Sequence, residues 1–145
     1  MNVKNDVTLN MNELDKEWER QSSLMEEYAS ALASANREYA NMDVVLKGMI
    51  AERKMEWRLK GEITVNGKST KLTEGALDNA VDSDGEIISQ KRLMIDKQYE
   101  IDSLKGIVEA LRNKKSALEY EVQLYLSGYF SSPKDQRELI KNKQR

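Results

Sequence analysis

Apolar residues recur at alternating steps of three and four along the first third of this chain: Met11, Leu14, Trp18, Gln21, Met25, Tyr28, Leu32, Ala35, Tyr39, Met42, Leu46 and Met49, with Gln21 the only polar member. A stripe that repeats every 3.5 residues keeps one face of a continuous helix against one partner helix. The next two positions of the seam are Arg53 and Glu56, so apolar packing stops near residue 50 while the helix goes on. The pattern predicts a long helix over residues 12–60, roughly 75 Å at 1.5 Å per residue. Asn10 or Asn12 can cap it, and Glu13 and Asp15 suit the positive end of its dipole. Residues 1–11 are polar and are expected to be irregular.

Gly61 can take the left-handed conformation that ends a helix. Beyond it Ile63-Thr64-Val65 alternates like a strand, Asn66-Gly67 suits a type I′ turn, and Lys68 to Lys71 can return, which predicts a small β-hairpin. Thr73 can cap a short helix with Ala76, Leu77, Ala80 and Val81 on its apolar face. Asp82-Ser83-Asp84-Gly85 interrupts it, and Ser83 or Asp84 can cap a second long helix over residues 85–127. The seam of that helix reads Ile87, Gln90, Met94, Lys97, Ile101, Leu104, Val108, Leu111, Lys115, Leu118, Val122 and Tyr125. Ile88, Ile95 and Tyr99 form a second apolar stripe on another face. One partner helix cannot cover both, so the second stripe is expected to be an oligomer interface. Ser127-Gly128 and Pro133 end the helix, leaving a basic tail over residues 128–145.

The fold class expected is therefore all-α: two long heptad-patterned helices forming an antiparallel hairpin, with a short intervening helix and a small β-hairpin in the connector over residues 61–84. At 145 residues this is one helical domain, over residues 12–127, with limited depth of core. Pairing of the long helices between chains fits the same pattern.

Composition narrows the chemistry. The chain has no His and no Cys, which removes imidazole bases, thiolate nucleophiles, His or Cys zinc sites and disulfides. No enzyme activity, no metal and no cofactor are expected. No apolar run reaches the roughly 20 residues that span a bilayer, and the first ten residues lack the apolar core of a signal peptide. A cytoplasmic protein is expected.

The net charge of −2 conceals segregation. Residues 51–71 are predominantly basic, residues 72–90 carry acidic side chains and no basic ones, and the tail is basic again. Around the end of the first helix Arg53, Lys54, Arg58 and Lys60 surround Trp57, and the hairpin adds Lys68 and Lys71. Cations with an indole suit phosphates and a stacked, unpaired base, the requirements of single-stranded DNA. Ordinary solvated helix ends give the same charge pattern, and Trp57 can instead close the end of the hairpin against Leu77 or Ile87. Arg112, Lys114 and Lys115 either extend a basic face or are helix-surface residues, with Lys115 snorkelling from the seam.

Three superficial motifs carry no chemistry. Placing Gly85 at the turn glycine of a calcium loop puts Ala80 at the first ligand position and Lys91 at the bidentate one. Gly67-Lys68-Ser69 lacks the upstream glycine and buried strand of a phosphate loop. Paired carboxylates such as Glu26 and Glu27 lie on a polar helix face.

The order of two long helices with a basic segment between them, the stretch Leu72-Thr73-Glu74-Gly75-Ala76-Leu77-Asp78, and the run from Tyr99 to Arg112 within Lys91–Leu118 together resemble the UvsY-like recombination mediator proteins of bacteriophages, over roughly residues 12–130. The resemblance implies a ring-like homo-oligomer that binds single-stranded DNA. It further implies a role in loading a RecA-like recombinase onto DNA covered by single-strand binding protein. It associates DNA binding with basic residues at the end of the first long helix, matched here by Arg58-Leu59-Lys60; Arg53, Lys54, Trp57, Lys68 and Lys71 are added from local chemistry alone. The longer basic tail after Pro133 departs from the family pattern. The alternative function is a structural or adaptor coiled coil with no nucleic-acid role.

Overall fold

The computed structural model describes residues 2–10, 12–65 and 67–128. Among them the order is α1 (Val3–Val7), α2 (Leu14–Lys60), β1 (Glu62–Val65), β2 (Lys68–Lys71), α3 (Glu74–Ser83) and α4 (Gly85–Leu126). The chain divides into two compact units, one built from its two ends as far as Ala29 and from Lys105, the other from Ser30–Leu104.

In the terminal unit the first turns of α2 run antiparallel to the later turns of α4. Leu24 and Tyr28 are buried from the first, Val108, Leu111 and Leu118 from the second. Burial of each large aliphatic side chain stabilises the fold by about 1.5–3 kcal/mol. The seam position Gln21 is buried too, and its Nε2 donates to the Leu111 carbonyl at 2.6 Å. Four expectations need correction here. The N-terminal residues are not irregular: Val3–Val7 is helical, Asn2 caps it, and Asp6 is buried. Trp18 is a seam residue in sequence but stays 47% exposed. Val122 and Tyr125 are likewise exposed, so the seam of α4 lapses in its last turns. Finally, Lys115 does not hold the seam position; Lys114 does, with a side chain only 2% exposed. The cause is α1, whose Asp6 carbonyl accepts from Lys114 Nζ at 2.8 Å while Glu17 pairs with the same ammonium. A neighbour from the chain's N-terminus, which a two-helix seam does not foresee, selects which lysine is buried.

In the central unit Ala35 on α2 and Ile87, Met94 and Ile101 on α4 are buried, the last three at heptad spacing. The long helices are antiparallel here as well, with Lys97 of α4 against Glu38 of α2 at 2.8 Å. Glu100 and Glu38 hold the Lys97 ammonium above its ordinary range, Glu100 the more strongly, and Lys97 in turn holds Glu38 below the usual carboxylate range. Gly61 ends α2 at φ 75°, with its N–H donating to the Trp57 carbonyl. The strands pair antiparallel in the register Glu62↔Lys71 to Val65↔Lys68, and Gly67 takes φ 76° in the turn. Thr73 caps α3 by accepting from the Ala76 N–H at 3.2 Å. Asp84 caps α4, its Oδ1 accepting from the N–H groups of Glu86 and Ile87. Met11, Asn66 and the basic tail beyond Gly128, which carry sequence expectations of their own, lie outside the described residues.

Candidate nucleic-acid interface

The basic end of α2, the hairpin and α3 all belong to the central unit. Ile63, Leu77 and Ala80 form a buried apolar cluster, with Trp57, Leu72 and Ala76 packed against it. The hairpin and α3 are thereby fixed beside the last turns of α2. Trp57 packs against this cluster, as one of the two roles open to it requires, and its indole is half-buried.

The six candidate cations divide into two groups. Arg53 is held by three carboxylates: Glu56 at 3.1 Å, Asp84 at 2.9 Å and Glu86 at 2.9 Å. The bond to Glu56, followed by the charge of Asp84, raises its pKa above the ordinary guanidinium value. Lys54 Nζ lies 2.6 Å from Asp78, and Arg58 lies 2.7 Å from Glu74. Lys54 and Arg58 are one turn apart on α2; Asp78 and Glu74 are one turn apart on α3, in the opposite order. Two facing i,i+4 ladders of opposite charge result. The acidic run after residue 72 thus serves caps and ion pairs, Asp82 completing it through Lys91.

Lys60, Lys68 and Lys71 form the second group. They are exposed and enter no salt bridge among the described residues. Lys60 is the last residue of α2 and Lys71 lies opposite Glu62 at the base of the hairpin. Lys68 lies by the turn and, by the alternation of a strand, projects from the other face of the ribbon from Lys71. The three ammonium groups therefore span the hairpin from base to tip.

The other apolar stripe of α4 is exposed as the sequence implies: Ile95 is 67% and Tyr99 76% exposed, with Ile88 half-buried. Leu93 adds to the exposed apolar surface, a contribution the heptad reading misses. Arg112 pairs with Glu109 on its own helix, as Lys115 does with Glu119, so these two form local pairs at the helix surface.

Among solved structures, the crystal structure of the bacteriophage T4 recombination mediator protein UvsY matches this one with a TM-score of 0.70, over 86% of this chain and 90% of that one. The chain has a UvsY-like fold. Sequence identity across the match is 12%, so the likeness is one of fold rather than of individual residues. No family model and no curated protein sequence matches the chain. Among the described residues of this UvsY-like chain, no helix is long and apolar enough to cross a membrane.

Proposed function

We propose that this protein is a non-enzymatic recombination mediator that binds single-stranded DNA and helps load a RecA-like recombinase onto DNA coated by single-strand binding protein. The observation that carries the reading is the UvsY-like fold over most of the chain, joined to exposed lysines at the hairpin that enter no salt bridge among the described residues. A single strand is flexible enough to cross the edge of a two-stranded ribbon, so Lys60, Lys68 and Lys71 can each meet a phosphate although they do not share one face. Arg53, Lys54 and Arg58 supply further cations beside them, and the site reads the backbone without a sequence preference.

The apolar stripe of exposed Ile95 and Tyr99 with half-buried Ile88 supports self-association, with a ring as the arrangement that repeats the DNA site and raises avidity. The setting would be the host cytoplasm, where recombinase and coated DNA meet. Fluorescence polarisation with a labelled oligonucleotide at low and high salt tests the reading. Tight binding that weakens steeply with salt is expected, together with a mass above that of a dimer by light scattering. Salt-independent absence of binding would instead leave a structural or adaptor coiled coil.

A further inference from the structure

The carboxylate ladder of α3 lies where phosphates would lie if Lys54 and Arg58 bound DNA. Glu74 and Asp78 stand at 2.7 and 2.6 Å from their cations, distances typical of charge-assisted bonds. The side chain of Glu74 is 71% and that of Asp78 63% exposed, so these carboxylates do not anchor a buried structure. The Arg58–Glu74 pair, its arginine side chain 52% exposed, contributes little to folding and opens readily, and the Lys54 side chain, 24% exposed, keeps the packing of its stem when Asp78 is released. What holds α3 in place is a different set of residues, the apolar face of Leu77 and Ala80 against Ile63. One face of a ten-residue helix thus packs while carboxylates at i,i+4 on another mask two cations of the neighbouring helix.

We propose that α3 is a built-in competitor for single-stranded DNA: Glu74 and Asp78 occupy Arg58 and Lys54 in the free protein and are displaced by phosphates only where a strand is already held by Lys60, Lys68 and Lys71. The inference rests on the DNA-binding reading above and adds its regulation. It makes the site graded. First contact is made by three open lysines, and the paired cations join only against an internal anion, so the grip stays moderate enough to be surrendered to another DNA-binding protein.

The arrangement has a distinctive thermodynamic mark. An open lysine that meets a phosphate releases a condensed counterion, lowering the slope of log affinity against log salt by roughly 0.7 for a single strand. A cation that trades a carboxylate for a phosphate releases none on balance, because the freed carboxylate recovers a counterion. Arg58 and Lys54 therefore contribute almost nothing to the slope of the parent protein. In the double variant Glu74→Gln, Asp78→Asn they contribute fully.

The test is a polarisation titration of the full chain with labelled single-stranded DNA at five salt concentrations, comparing parent and double variant, with circular dichroism and melting on both. The slope is expected to steepen by roughly 1.4 for each protomer in contact, giving roughly 25-fold tighter binding at 0.1 M salt if the two proteins bind alike at 1 M. Arg58→Ala is expected to alter affinity little in the parent and strongly in the Glu74→Gln, Asp78→Asn background. Equal slopes for two folded proteins that both bind would overturn the competitor while leaving the DNA-binding reading intact; failure of both to bind at any salt would overturn that reading itself. Should the double variant melt early, Asp78→Asn alone is measured in its place. A rise of roughly 0.7 per protomer supports the proposal and no rise overturns it.

Discussion

The two units use charge in opposite ways. In the terminal unit Asp6, Lys114 and Gln21 are buried, and each is hydrogen-bonded: Asp6 accepts from Arg20 at 2.8 Å and from the Tyr28 hydroxyl at 2.9 Å, and its carbonyl accepts from Lys114. In the central unit the charges around the end of α2 are at the surface or close to it, with Arg53 paired to three carboxylates and Lys54 and Arg58 to one each. Similar residue types thus do different work. A buried charge with satisfied bonds fixes which segments pack together, because removing one partner strands the other away from water. A surface pair leaves its members available, because water replaces either partner at little cost.

The largest effect that separates the two is expected at Lys114. Lys114→Ala leaves Glu17 and the Asp6 carbonyl without their donor and is expected to cost about 3 kcal/mol, read as a lower denaturation midpoint with an unchanged slope. A loss below 0.5 kcal/mol would erase the contrast.

Tyr28 sharpens it further. It is 1% exposed, and burial, reinforced by its bond to Asp6, pushes its pKa up to about 12. Its neutral form is thus favoured by folding. The corresponding stability is fully present below the unfolded tyrosine value near 10 and is lost as pH rises through about 12. Tyr28→Phe is expected to cost about 2 kcal/mol at neutral pH, through the lost bond to a charged acceptor, and to remove this part of the decline between pH 10 and 12. Identical pH profiles for parent and variant would show that the hydroxyl is not held as described.

At the other unit the expected effects on folding are small. Arg58→Ala should change stability by about 0.5 kcal/mol or less. A loss several times larger at Arg58 would mean that its pair with Glu74 is structural.

How much of this could be read from the sequence follows the reach of each signal. Local signals were legible: Thr73 and Asp84 as caps, Gly61 as the end of α2, and the alternating strands of the hairpin all depend on neighbours a few residues away. The heptad pattern likewise located Tyr28, Ala35, Ile87, Met94, Ile101 and Leu118 in the core, because the partner helix repeats the same period. Long-range polar contacts were not legible. Lys114 is buried because Asp6 meets it from 108 residues away, and no spacing rule links them. Leu24, off the seam yet buried, also lies in the unit that contains α1. At the candidate site, composition picked out the basic cluster and offered packing against Leu77 as one role for Trp57, but could not show that Arg53, Lys54 and Arg58 meet carboxylates of later elements.

The proposed mode of binding stands on the open lysines of the central unit, rather than its paired cations, making first contact with single-stranded DNA. The direct test is the salt dependence of oligonucleotide binding for the parent and for the triple variant Lys60→Ala, Lys68→Ala, Lys71→Ala. The triple variant is expected to retain its helicity, to bind more weakly, and to lose roughly 2 from the slope of log affinity against log salt for each protomer in contact. A triple variant that binds as tightly as the parent at every salt concentration would contradict it.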